Sequence, residues 1–323
     1  MKPKIKKPKY KLVILFSISC FLLFLQSTLK AQDSTADNTI AQTKQREKPV
    51  KNTFRSVWII DDQTVMVPVK GTFEIDIMHR FGTVQNGIKD MWGLFSTANI
   101  RLGASYVPIN NLYLGLGLTK TKMLLDGSAK YAIIKQTKHM SPVSITYFGD
   151  MAYDTREDPN HILFKYGTER LSYFNELIFA RKVSDKLSVQ FAVGISHQNS
   201  VPGYYTQYDS TAKVIFNEEK FDLFSLAVSA RYKITDVTSV IINYNQPITK
   251  FPLNNPHPNI SFGFEFNTSG HTFQIFAANN SLLNPQQNYL YNKNNPFGYT
   301  QNGIKIPGGQ FEIGFNITRL WNF

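Results

Sequence analysis

Residues 310–323, QFEIGFNITRLWNF, decide the fold. Counting back by twos from the carboxyl terminus gives Phe323, Trp321, Arg319, Ile317, Phe315, Ile313 and Phe311, all apolar except Arg319. Between them lie Asn322, Leu320, Thr318, Asn316, Gly314 and Glu312, polar or small except Leu320. A period of two is the mark of a strand with one apolar and one mostly polar face. An aromatic strand end followed directly by a free carboxylate is unusual for a soluble sandwich. The rest of the chain therefore has to be searched for strands of the same kind.

From Gly71 onward the theme repeats, about ten residues of alternation and then a turn. Twelve strands are predicted, over 71–81, 98–107, 112–120, 128–137, 143–151, 171–181, 187–196, 224–233, 239–245, 260–267, 271–278 and 310–323. The alternation is cleanest in the second half, where Leu187, Val189, Phe191, Val193 and Ile195 oppose Ser188, Gln190, Gly194 and Ser196. It is weakest in 128–137 and 271–278. Short turns (108–111, 138–142, 182–186, 234–238, 268–270) alternate with longer connections (82–97, 152–170, 197–223, 246–259, 279–309), with one short exception at 121–127. That rhythm fits a barrel with one short-turn rim and one long-loop rim, and a sandwich predicts neither feature.

The expected architecture is all-β, a transmembrane antiparallel up-and-down β-barrel. Lipid cannot satisfy a backbone N–H or C=O, so strands persist there only when the sheet closes on itself. Outward side chains must then be apolar. The inward set includes Glu74, Asp76, Arg80, Arg101, Glu176, Arg231, Lys233, Glu265 and Glu312. Charges of both signs in a confined lumen must pair or stay hydrated. A salt-bridged network bracing a narrow interior is favoured over a pore lined by opposed charges. With both chain ends at the short-turn rim, Tyr106, Phe179, Tyr232, Phe266, Trp321 and Phe323 form an aromatic girdle there.

Composition agrees. The 323 residues are 14% aromatic, and a mean hydropathy of −0.23 argues against membrane helices but not against a barrel. The net charge of +12 less seven lysines in residues 1–31 leaves +5 for the remainder. No basic stripe interleaved with aromatics points to nucleic acid.

Residues 1–31 read as a removed secretory signal, with a basic start and an apolar run from Leu12 to Leu25 too short to span as a helix. The single cysteine, Cys20, falls in that run, so disulfides and thiolate metal sites are not expected. Residues 32–53 form a polar leader, and 54–323 the barrel domain. Within it, 54–70 is a rim or plug segment. A β element packed at the rim is favoured over a plug, because twelve strands leave limited interior room.

Signals for chemistry are weak. Gly115 and Gly117 make a G-x-G inside a strand, without the helix terminus a phosphate cradle needs. The six histidines show no zinc spacing. His197 lies near Ser196 and Ser200, but strand neighbours point to opposite faces and no third group orients the pair. No catalytic, cofactor-binding or metal-binding residue is assigned, and the chain is not expected to be an enzyme.

Two resemblances add to this. Phe315, Ile317, Trp321 and Phe323 resemble the terminal signature of bacterial outer-membrane β-barrels, which implies assembly by the barrel-assembly machinery. Asp76–Gly82 (DIMHRFG), Lys130–Gln136 (KYAIIKQ), Gln246-Pro247 and Ile306–Gly309 (IPGG) resemble a family of membrane-bound β-barrel domains found mainly in Bacteroidota. The family implies an outer-membrane barrel over about residues 54–323 and no established activity, so no catalytic residue is carried over. The expected partners are outer-membrane lipid and either a small solute or a surface partner. The expected role is a passive channel or transport accessory, or else a structural or surface-binding barrel using its long loops.

Overall fold

The computed structural model describes residues 48–51, 53–208, 214–301 and 304–323. The predicted signal, 1–31, and the predicted leader up to residue 47 and at residue 52 lie outside the described residues.

Twelve strands form one closed antiparallel barrel. They are β1 (Thr72–Thr83), β2 (Asn99–Ile109), β3 (Leu112–Thr119), β4 (Leu124–Ile134), β5 (Ser144–Asp154), β6 (Leu171–Lys182), β7 (Leu187–Gln198), β8 (Asp222–Lys233), β9 (Thr238–Pro247), β10 (Asn259–Asn267), β11 (His271–Ala278) and β12 (Glu312–Asn322). Each pairs with its sequence neighbours, and β12 closes on β1 with Ile317 opposite Ile77. Every backbone edge is thereby paired, the condition a sheet must meet in hydrocarbon. All twelve predicted strands are present. The largest shift is in β4, which begins at Leu124 rather than at residue 128.

Burial is the reverse of a soluble protein's. Leu116, Leu118 and Ile275 are 66, 59 and 55% exposed on the outer wall, while Arg80 and Lys130 are fully buried inside. A contiguous apolar band of this extent is stable only against lipid. Tyr106, Phe179, Tyr232, Phe266 and Trp321 lie on the outward face near the ends of their strands. These ends share one rim with the short turns and Phe323, called here the turn end. The opposite rim, the loop end, carries the long connections.

The lumen is filled from both ends. At the turn end, residues 54–65 turn inward, with Trp58–Ile59 pairing Asp62–Gln63 in a two-residue ladder whose tip is Ile60 and Asp61. This overturns the expected rim packing: Val57, Ile60 and Thr64 are completely buried within the barrel. The room comes from small inward residues. Gly103, Gly115 and Gly117, with Ser105, Ser188, Ser196, Ser225, Ser229 and Ser261, line the wall where larger side chains would fill it. From the loop end, the β11–β12 connection sends in a short helix, α1 (Pro285–Tyr291), with Asn284 before it and Pro at its first turn. Pro285 through Leu290 are buried.

Candidate functional site

The candidate site is the lumen and the two segments seated in it. Eight of the nine predicted inward charges lie there, and period-two alternation puts them there: neighbours in each strand face the lipid. Arg101 is the centre of one cluster, with Nη1 donating to Asp76 (2.9 Å) and Nη2 to Asp126 (2.5 Å), and its guanidinium 5.3 Å from the Trp58 ring centroid. Arg80 donates to Asp61 of the plug at 2.6 Å and to Asn316 at 3.0 Å, and lies over the Phe276 ring at 4.4 Å. Arg231 pairs with Glu265 at 2.7 Å. Glu74 accepts from the Tyr113 hydroxyl at 3.1 Å. Glu176 is buried in the wall. Glu312 accepts from Asn294 at 2.8 Å, tying the loop that carries α1 to the barrel.

Lys233 is the exception. Its ammonium reaches Asp236 in the turn after β8 at 3.1 Å, so it sits at the rim and not in the lumen. The last inward position of a strand is already level with solvent, and a long lysine turns towards water. Phe315, Ile317 and Trp321 face outward, with Arg319 stacked on Trp321 at 4.7 Å, and Phe323 is 90% exposed beyond the strand.

Four inward charges are missing from the predicted set: Asp126, Lys130, Asp150 and Asp154. Asp126 precedes the predicted start of its strand, and the outward residues between it and Lys130, Gly127 and Ala129, are too small to make an alternation visible. With them, eight carboxylates (Glu74, Asp76, Asp126, Asp150, Asp154, Glu176, Glu265, Glu312) share the wall with four cations (Arg80, Arg101, Lys130, Arg231).

Side chains, not strand backbone, hold the plug. Gln274 clamps it twice, donating to Trp58 O (2.8 Å) and accepting from Ile60 N (3.1 Å). Gln190 does the same for Gln63 O (2.7 Å) and Val65 N (3.2 Å). Lys130 donates to Gln63 Oε1 at 2.8 Å, and Thr146 to Val65 O at 3.1 Å. Apolar contacts add to these, with Ile59, Ile60 and Val65 sharing a cluster with Phe148, Phe174, Ile178 and Phe276.

The loop-end insert is held in the same way. Gln286 donates to Asp150 and Asn284 to Asp126, at 2.8 and 2.9 Å. The Tyr289 ring stacks on Phe174 with centroids 5.3 Å apart. The two inserts meet where the Tyr289 hydroxyl donates to Asp62 Oδ1 at 2.9 Å, an oxygen that also accepts from Asn245 at 2.9 Å. Yet Asp61 Oδ2, Asp62 Oδ2 and Glu74 Oε2 are buried with no hydrogen-bond partner among the described residues.

The weak chemical motifs dissolve in this geometry. Gly117 leaves room for the network, since a Cβ there would lie 2.2 Å from Arg101 Nη2. His197 does have an orienting carboxylate, Asp222 at 2.8 Å, but it lies on the outer wall while Ser196 points into the lumen, so the pair cannot cooperate. Among the described residues no group of three or more His, Cys, Asp or Glu is placed to hold a metal ion.

Comparison with known proteins follows the architecture. Similar solved structures include the NanC porin (10% identity over 78% of this chain and 99% of that one, TM-score 0.43). An outer membrane channel from Pseudomonas putida F1, COG4313, is similar at 12% identity over 79% and 97%, TM-score 0.42. The KdgM porin in complex with disordered oligogalacturonate is similar at 10% identity over 77% and 99%, TM-score 0.41. Likenesses at this level concern the fold alone. No curated protein matches the chain. The model of the "Membrane bound beta barrel domain (DUF5777)" family matches residues 54–321, taking in the plug with the barrel, and the chain belongs to that family.

Proposed function

We propose that the protein is an outer-membrane channel for small solutes, exported by its N-terminal signal and closed by residues 54–65. The observation that carries the reading is how the plug is held. The barrel's backbone ladder is complete without it, so the plug can leave without breaking a strand–strand hydrogen bond. Its seated state also buries three carboxylate oxygens without partners. Each costs about 1–3 kcal/mol relative to a hydrated one, which offsets part of what the clamps contribute. On leaving, the plug rehydrates those groups and uncovers a wall that carries charges together with the apolar Phe148, Phe174, Ile178 and Phe276. In this reading the turn end faces the periplasm and the loop end the exterior.

The test is conductance in a planar bilayer. The intact chain should show low conductance with rare openings, and a chain lacking residues 54–65 steady steps of higher conductance. A deleted chain that keeps the heat-dependent electrophoretic mobility of a folded barrel but never conducts would end the channel reading.

A further inference from the structure

A second, partly open cavity lies at the loop end, bordered by α1. It has a volume of about 150 Å³, and its wall includes Val201 and Pro202 from the β7–β8 connection, Phe251 from the β9–β10 loop, and Leu290 and Tyr291 from α1. A cavity of about this volume accommodates an organic molecule the size of benzene. Its lining is mainly apolar, with one charged group buried in it. Glu219 is 7% exposed, its backbone is pinned by donation to Pro202 O at 3.1 Å, and both carboxylate oxygens are buried without a hydrogen-bond partner among the described residues. Lys220 and Lys293 also border the space, but both are exposed and neither forms an ion pair with Glu219 among the described residues.

We propose that this cavity binds a small primary alkylammonium ion, with the cationic head on Glu219 and the hydrocarbon tail against Phe251, Leu290 and Tyr291. An ionised carboxylate buried in apolar surroundings is costly unless a cation or several donors meet it. An ammonium group supplies one positive charge and three N–H donors, enough for two orphaned oxygens. Aromatic faces favour cations as well, and Tyr291 shows this within the chain, its ring lying 4.4 Å from Lys122 Nζ. A neutral ligand of the same shape leaves the Glu219 charge unmet, and a carboxylate ligand adds a like charge to it. The site therefore selects on charge first and on size second.

The experiment is isothermal titration of the full chain in detergent at pH 7 with n-butylammonium, n-butanol and butyrate. Saturable one-to-one binding of n-butylammonium, at least tenfold tighter than n-butanol, is expected. Glu219→Gln should lower the affinity for n-butylammonium at least tenfold and leave n-butanol unchanged. Absence of saturable n-butylammonium binding, equal affinity for n-butanol, or an unaffected Glu219→Gln chain would each overturn the assignment. Preference for butyrate would overturn it too, giving the cavity to Lys220 and Lys293. The comparison of the three compounds on the unaltered chain decides the matter even if Glu219→Gln fails to assemble. None of these measurements requires conductance, so the site and the channel reading stand or fall separately.

Discussion

The hydroxyl of Tyr289 donates to the carboxylate of Asp62 at 2.9 Å inside the barrel, joining a segment that enters from one rim to a helix that enters from the other. Removing that hydroxyl tests the closure. In Tyr289→Phe the ring keeps its stack on Phe174 and only the hydrogen bond to a charged group is lost, about 1.5–3 kcal/mol. Spontaneous openings in a bilayer should become at least tenfold more frequent, since about 1.4 kcal/mol is a factor of ten. Unchanged opening frequency would place the closure elsewhere.

Arg101 is held between Asp76 and Asp126 deep in the wall. Arg101→Met leaves two carboxylates facing each other without a cation, and breaking a buried pair from one side costs about 3–5 kcal/mol. The temperature at which the folded band gives way to the unfolded one in electrophoresis should fall clearly. Combining it with Asp76→Asn and Asp126→Asn should restore most of the loss, because the neutral trio needs no counter-charge. Equal loss in the triple variant would mean that packing, not charge, holds this region.

The plug-free lumen should prefer cations. Its wall carries eight carboxylates and four cations, all buried. Under a potassium chloride gradient, the chain lacking residues 54–65 should show a reversal potential of the sign set by potassium. A reversal potential of chloride sign would show that these carboxylates do not face the conducting path.

Deleting Phe323 should impair assembly more than stability. The residue lies beyond the last paired position and is 90% exposed, so it makes few contacts to lose. The yield of heat-shifted barrel in the membrane fraction should drop severalfold, while the barrels that do form unfold at nearly the same temperature. An unchanged yield would remove Phe323 from the assembly signal.

The barrel was legible in the sequence because lipid imposes one demand on every strand. Leu187 to Ile195 must be apolar at alternate places, whatever the lumen holds. The lumen imposes no such demand. Residues 54–69 mix Val, Ile and Trp with Asp, Gln and Thr, a composition that suits a rim and a polar interior equally, so no periodicity distinguishes them. The clamps were hidden for the same reason: Gln190 reads as one more inward polar residue until Gln63 and Val65 are opposite it. Helix α1 did leave a trace, Asn284 followed by Pro285, a pairing that starts helices. Within a long loop of prolines and asparagines that trace does not stand out.

Helix α1 gives Tyr289 to the plug contact and Leu290 and Tyr291 to the wall of the Glu219 cavity. Three consecutive residues thus report to two compartments. By thermodynamic reciprocity, whatever a molecule in that cavity does to the seating of α1, withdrawal of the plug does in equal measure to the affinity for that molecule. In the channel proposed above, occupancy of the loop-end cavity would thus be readable, without any solute crossing, as the free energy of extracting a hairpin at the turn end.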